Sequence, residues 1–306
     1  MISPTNSPEK PLKRFTAVRR NWYFTAGPFR IASSGSITMT ELLLSIIAAV
    51  LVGIVCGMQS FFVVYRKLAF MSHGVAHSMV AGVGLALLMH WPVYWPAIIT
   101  ALIVSLTIGW ITRRGRLVED SAIGIALSAA LAVGIFLSAR HDHAHGDSCG
   151  HGHDLEGYLV GSLTNVDISE MFWLTGFAVI ALFLIVRYWK ILVMFTFDPE
   201  SCAIAGYPVE AIRYAILIGL ALTIALTMKI VGILLVGAFL IIPAASAAFW
   251  SNRASAVLVL SVVVALIGAV IGMLFADWFH TPPGATIVLA LVAIFFVSRL
   301  FGRVNS

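Results

Sequence analysis

Long apolar segments, each about 20 residues, constrain this chain more than any other feature. A helix of that length crosses the ~30 Å hydrocarbon core of a bilayer, and a helix satisfies its own backbone hydrogen bonds in lipid. The segments are 41–64, 72–90, 94–112, 121–139, 168–190, 209–228, 230–250, 255–276 and 284–301. The sixth and seventh are separated only by a tight break near Lys229, and Gly232, Gly237 and Pro243 could interrupt the seventh. The sequence therefore predicts an all-α polytopic membrane protein with about eight or nine transmembrane helices.

Composition agrees with this class, since 60% of the residues are hydrophobic and 11% are charged. The net charge of +5 is explained by basic residues at the ends of apolar segments, so no nucleic-acid partner is expected. Residues 1–38 form a basic, proline-containing extension that we expect to be disordered or interfacial. Residues 39–306 form the predicted transmembrane domain.

Basic residues also predict the orientation, because they concentrate in cytoplasmic loops. If the first segment starts outside, the following lie inside: Arg66, Lys67, Arg113, Arg114, Arg116, Arg187, Lys190, Arg213, Arg253, Arg299 and Arg303. Only Arg140 and Lys229 of residues 39–306 then lie outside. This places the loop 140–167 outside and the polar stretch 198–207 in the cytoplasm.

The outer loop 140–167 is rich in potential metal ligands. Its histidines are His141, His143, His145, His151 and His153. Clustered imidazoles bind late first-row metals such as zinc, and the intervening glycines indicate a flexible tract. We expect low-affinity metal capture here; a solvated loop without a role is the alternative.

His73 and His77 are the conspicuous polar pair inside an apolar segment. A spacing of four residues puts both imidazoles on one helix face, where they could share a cation along a metal pathway. The alternative is that each histidine only hydrogen-bonds to a neighbouring helix. No glutamate follows His73 directly, so the pattern is not that of an HExxH protease.

The stretch 198–207 has the pattern of a short, separate helix. Asp198 can cap its start, Pro199 fits the first helical position and Glu200 adds negative charge to the first turn. Gly206 is placed to end it in a left-handed conformation. An ordinary connector between two spans would show the same pattern.

If this chain is a transporter, the energy for transport must come from another subunit. Asp and Glu stand at or near segment ends, which argues against a proton relay, and the chain lacks the GxxxxGK[ST] loop that binds ATP. A capped cytoplasmic helix would suit a separate motor subunit.

The residues resemble the membrane permease of zinc/manganese-type ABC importers, the ABC-3 family. The matching features in the cytoplasmic stretch are Phe197, Asp198, Pro199, Glu200, Ala203 and Gly206. The stretches 70–86, 231–245 and 283–289 also resemble family motifs, and similarity extends from about Leu42 to Arg299.

This resemblance implies a permease subunit in the bacterial inner membrane, moving its ion by alternating access and not itself an enzyme. Cytoplasmic ATPase subunits would dock on a coupling helix at 198–207, an extracytoplasmic protein would deliver the metal, and the permease would form a homodimer. No permanently bound cofactor is implied; the metal is cargo, and ATP acts only through the partner.

His77 falls on the family's signature histidine, and His73 falls where many members have aspartate. That exchange of oxygen for nitrogen favours Zn²⁺ over Mn²⁺ as cargo. The alternatives are a manganese or iron importer, a secondary metal transporter with a histidine-rich loop, and a membrane metal sensor.

Overall fold

The computed structural model describes residues 39–89, 91, 94–113, 119–145, 168–279 and 281–302, and the fold is all-helical across these ranges. The N-terminal extension 1–38 lies outside them. The helices are α1 (Met39–Tyr65), α2 (Ala69–Met89), α3 (Tyr94–Thr112), α4 (Glu119–His145), α5 (Ile168–Arg187), α6 (Trp189–Phe197), α7 (Pro199–Ile204), α8 (Val209–Val231), α9 (Ile233–Ala247), α10 (Ala254–Phe279) and α11 (Pro283–Phe301).

Six of these helices, α1, α3, α4, α8, α10 and α11, are long and apolar enough to cross a membrane. A seventh crossing results if α5 and α6, which meet at a 76° bend, count as one span. The predicted eight or nine crossings are therefore not confirmed. Among the other apolar helices, α9 has only 15 residues and α2 carries the two histidines.

Three predicted boundaries differ from the structure. The segment 168–190 is not one straight helix, because the chain bends after Arg187. The break predicted near Lys229 lies at Gly232 instead, whose φ of 85° and ψ of 159° belong to a region that only glycine adopts readily. The segment 121–139 extends to His145, so the first part of the predicted outer loop is helix.

Small residues let the helices of the bundle approach closely. A methyl group at Gly84 of α2 would lie 2.7 Å from the carbonyl oxygen of Gly134 on α4. At Gly57 of α1, a methyl group would lie 2.9 Å from Cα of Val262 on α10. These contacts leave no room for a larger side chain, so they fix the distances between α2 and α4 and between α1 and α10.

Pro243 lies inside α9 without ending it. A proline in a helix frees nearby backbone groups, and an unsatisfied N–H is costly away from water. The backbone N–H of Ala244, the next residue, donates to Oγ of the fully buried Ser60 on α1 at 3.0 Å. Ser60 thereby provides a hydrogen bond at the proline and ties α9 to α1.

Exposed tryptophans stand at both ends of α3. Trp95 is 54% exposed and Trp110 is 63% exposed, and their separation of 15 positions corresponds to about 22 Å along the helix axis. Tryptophan favours the two membrane–water interfaces. The lipid-facing side of α3 therefore has the pattern of a membrane-crossing helix.

Basic residues predicted to share the cytoplasmic face also lie at one end of α3 and α8. Arg113 Nε is 3.4 Å from Glu210 Oε2, and Arg213 donates to Oγ1 of Thr112 at 2.6 Å. Arg66, Arg213 and Thr112 line one cavity of about 30 Å³. Basic residues that lie on the same side of the membrane should lie at the same end of the bundle, and this grouping agrees with that expectation.

Candidate metal pathway and coupling helix

His73 and His77 lie in the first half of α2, and both side chains are half-buried. Their spacing of four residues places them one above the other on the same face of the helix. The two residues beside the pair, Ser72 and Ser78, are buried. Their hydroxyls donate to carbonyl oxygens of α2 itself, each at 2.7 Å, so both hydroxyl protons are used in hydrogen bonds within the helix.

Gly237 of α9 packs directly against the His73 ring. A methyl group at position 237 would lie 2.6 Å from Cε1, 3.0 Å from Nε2 and 3.3 Å from Nδ1 of the His73 ring. The imidazole can lie against the α9 backbone only because Gly237 has no side chain. This contact joins two helices that are far apart in the sequence, so only the folded chain shows it.

No third ligand completes the histidine pair within the described ranges, because no three His, Cys, Asp or Glu side chains gather there. Two imidazole nitrogens form an incomplete shell compared with the four ligands of a structural zinc site. An arrangement with few ligands suits an ion that enters and leaves.

Of the five histidines predicted to capture metal outside, His141, His143 and His145 lie on the last turns of the α4 backbone. His151 and His153 lie outside the described residues.

The predicted cytoplasmic helix is present as α7, six residues long. The backbone N–H of Ser201 donates to Asp198 Oδ1 at 3.0 Å, so Asp198 is the N-cap, and Pro199 begins the helix. Gly206 has a φ of 82°. Its N–H donates to the carbonyl oxygen of Ala203 at 3.0 Å and that of Tyr207 to Cys202 at 3.2 Å, which is a Schellman ending.

Asp198 is stabilised as a carboxylate. The hydroxyl and the backbone N–H of Ser201 both donate to it, and these hydrogen bonds hold the pKa of Asp198 below its ordinary value. The side chain lies outside the apolar helices and is fully exposed, so it keeps its charge at neutral pH.

One face of α7 is anchored to the bundle and another is exposed. Cys202 is fully buried in a cluster that includes Phe61 and Phe195, whereas Ile204 is 88% exposed. Glu200, Ala203 and Gly206 are also exposed. The exposed side of α7 therefore carries the apolar Ile204 beside the acidic Glu200.

The bend that positions α7 was not predicted, because the segment 168–190 was expected to be one straight helix. Tyr188 separates α5 from α6 with neither proline nor glycine at the bend. The rings of α6 pack on α1 instead: Trp189 lies 5.8 Å from Phe61, and Phe197 lies 5.2 Å from Tyr65. Aromatic positions at both ends of 189–197 were the available clue.

Comparison with known proteins gives a consistent picture. The family model described as ABC 3 transport family matches residues 39–302. The chain is 34% identical to the manganese transport system membrane protein MntC of Halalkalibacterium halodurans over 83% of this chain and 85% of that protein. It is 25% identical to the high-affinity zinc uptake system membrane protein ZnuB of Haemophilus influenzae over 85% of this chain and 96% of that one.

A solved structure is also similar. PsaBC from Streptococcus pneumoniae, in complex with a Fab, superposes with a TM-score of 0.74 at 28% identity, covering 87% of this chain and 93% of that chain. The helices α1 to α11 all fall within the residues matched by the family model.

Proposed function

This chain belongs to the ABC 3 transport family and is a membrane permease subunit of a metal importer, and on that premise we propose that its cargo is Zn²⁺. The observation that carries the proposal is the His73–His77 pair on α2, with His73 packed against Gly237. Both ligands are nitrogen atoms. Imidazole binds Zn²⁺ more tightly than Mn²⁺, which prefers oxygen ligands.

Mn²⁺ is the second candidate. The MntC relative, at 34% identity, carries manganese in its name, whereas the ZnuB relative is 25% identical. Family membership already selects the importer over the secondary transporter that the histidine-rich loop alone allowed. The choice of cargo therefore depends on the chemistry of the two histidines.

The mechanism we propose is alternating access. ATPase subunits dock on Phe197, Asp198, Pro199, Glu200, Ala203 and Gly206, the stretch that forms α7 and its flanks. Their closure moves the helices around His73 and His77, which bind the ion briefly and release it. A second copy of the chain completes the pathway, and α2 and α9 cross the membrane with the other helices to give eight or nine spans.

Outside the membrane, an extracytoplasmic metal-binding protein delivers the ion. The histidine loop, with His141, His143, His145, His151 and His153, raises the metal concentration near the entrance.

The cargo is tested by uptake of radioactive Zn²⁺ and Mn²⁺ into proteoliposomes that contain the permease, its co-purified ATPase and the binding protein. The unsubstituted complex should prefer Zn²⁺. His73→Asp should shift the Zn²⁺/Mn²⁺ ratio towards Mn²⁺ by roughly tenfold, because one nitrogen is replaced by oxygen. His77→Ala should lower uptake of both metals.

Ser78→Ala is the matched control, since its hydroxyl is bonded within α2. It should leave both rates unchanged. A preference for Mn²⁺ in the unsubstituted complex would assign manganese as the cargo, and undiminished uptake by His77→Ala would remove this residue from the pathway.

A further inference from the structure

The corner between α1 and α2, residues 65–68, contacts the end of α6 just before the coupling helix. Arg66 Nη1 donates to the carbonyl oxygen of Phe195 at 3.4 Å. The same guanidinium stands over the Phe195 ring, with Cζ 4.4 Å from its centroid. Phe195 is 1% exposed, so this cation–π contact is shielded from water, where such contacts are strongest.

A second contact reinforces the first. Phe197 is the last residue of α6. Its ring lies 5.2 Å from the Tyr65 ring and 6.4 Å from the Phe61 ring. Asp198, the N-cap of α7, directly follows Phe197. The aromatic contacts between α6 and the corner therefore lie directly beside the start of α7.

The corner is short and tightly hydrogen-bonded. Only residues 66–68 separate α1 from α2. The N–H of Leu68 donates to Val63 at 2.8 Å and that of Lys67 donates to Val64 at 3.1 Å, with Lys67 held at a φ of 58°. Because the connection is so short, a displacement of the corner also displaces the first turn of α2. His73 lies one turn further along the helix.

From these contacts we propose that Arg66 is a positioning residue that transmits movement of the coupling helix α7 to the histidine-bearing helix α2. The inference rests on the proposed function, because it needs α7 to be the motor contact and His73 to lie on the metal path. It adds the physical link between them, for which the described residues offer a direct sequence of contacts: α7, α6, Phe195, Arg66, α2.

Arginine is suited to this position. Its planar guanidinium can donate to a carbonyl oxygen and lie on an aromatic face at once, whereas lysine presents a compact charge on a flexible stem. Arg66→Lys therefore keeps the charge at the corner and loses the combined contact.

The experiment measures metal transported per ATP hydrolysed by the assembled complex in proteoliposomes, with Zn²⁺ and Mn²⁺ in separate runs. Arg66→Lys should still co-purify with the ATPase and hydrolyse ATP. Its transport per ATP should fall about fivefold or more, the usual lower end of coupling effects. Phe195→Leu keeps an apolar side chain, removes the aromatic face and should show the same direction of change.

Arg299→Lys is the matched control. Its guanidinium also stands over a phenylalanine, with Cζ 5.4 Å from the Phe249 ring, but on α11 and away from α6. It should leave the ratio unchanged.

Normal transport per ATP in Arg66→Lys and Phe195→Leu overturns the inference, and so does an equal loss in Arg299→Lys. If a variant does not assemble, the other variant decides by the same ratio; assembly lost in both overturns the inference, because the contact is then structural. An unsubstituted complex that moves neither metal with ATP contradicts the proposed function itself, before any variant is compared.

Discussion

The His73 ring occupies space on α9 that is open only because residue 237 is glycine. The ring packs against Gly237, so the position of one nitrogen-bearing group is set by the size of a residue 164 positions along the chain (237 minus 73). A ligand that is held by packing keeps its orientation when no metal is bound. If His73 binds the ion as we propose, its ring is already oriented before the ion arrives.

Gly237→Ala tests this packing. The new methyl group would lie 2.6 Å from Cε1 of His73, so the imidazole or α9 must shift. We expect uptake of the preferred metal to fall roughly tenfold while the complex still assembles, since misplacing a ligand by a few tenths of an ångström weakens binding. The measurement is initial uptake rate against metal concentration.

Gly176→Ala provides the comparison for Gly237→Ala. Position 176 on α5 has no atom within 4 Å of an added methyl group, so uptake should be unchanged. Equal uptake by the two variants would show that Gly237 does not position His73.

At the scale of the element, α7 is specified almost entirely by its own sequence. Its first residue, its N-cap and its Schellman ending depend on contacts within 198–207; the first two and the left-handed conformation of Gly206 were predicted. Six residues are too few for a stable isolated helix. The buried Cys202 supplies the remaining stabilisation by anchoring α7 to the bundle.

Asp198 gives the next prediction. Asp198→Asn should preserve assembly with the ATPase, because asparagine caps a helix start as well as aspartate does. Asp198→Ala should weaken it, because the N–H of Ser201 loses its acceptor. Co-purification of the ATPase at increasing salt measures the difference, and weakening by both substitutions to the same degree would indicate a direct charge contact with the partner instead.

The cap also has a definite pH dependence. The folded pKa of Asp198 lies below its unfolded value of about 3.9, so the carboxylate stabilises α7 above that pH. This stabilisation is lost as the pH falls through the folded pKa. Between pH 5 and 8 the cap is constant.

Other elements could not be predicted from local sequence. The bend at Tyr188 has no proline or glycine, and the packing of Trp189 and Phe197 on α1 accompanies it. Gly232 was recognised as a possible interruption, yet the break was expected three residues earlier, near Lys229. Such features depend on which helices become neighbours, and hydrophobic periodicity carries no information on that.

The same limit holds for the candidate site. The spacing of His73 and His77 predicted a shared helix face from sequence alone, because four residues complete about one helical turn. Gly237 and Arg66 acquire their proposed roles only through contacts across the bundle. Sequence therefore predicted the candidate ligands and the candidate motor contact, and contacts in the folded chain supply the residues that we propose hold and connect them.

At the scale of the whole molecule, the proposed function assigns metal capture and metal transit to different parts of the chain. The histidine loop is predicted outside, while His73 and His77 lie within α2. If the loop only concentrates metal, it should matter when metal is scarce and be dispensable when metal is abundant.

Replacing His141, His143, His145, His151 and His153 by glutamine tests this division without shortening the loop. Uptake should fall severalfold at limiting Zn²⁺ and remain unchanged at saturating Zn²⁺, because the pathway histidines are intact. The control replaces Asp142, Asp147 and Asp154 by asparagine, which removes acidic groups from the same loop. Unchanged uptake at limiting Zn²⁺ in the histidine variant would assign the loop no part in capture.

Because the chain bends by 76° before α6, a change of that angle would displace the far end of α6, where α7 begins. The nine residues of α6 correspond to an arm of about 13 Å, so a tilt of about 10° at Tyr188 swings Asp198 through about 2 Å. The arm grows only in whole residues, and each added residue would also rotate α7 by about 100° around the arm. The position and the orientation of α7 therefore change together, and a partner that docks on α7 as we propose would constrain the number of residues between 188 and 198.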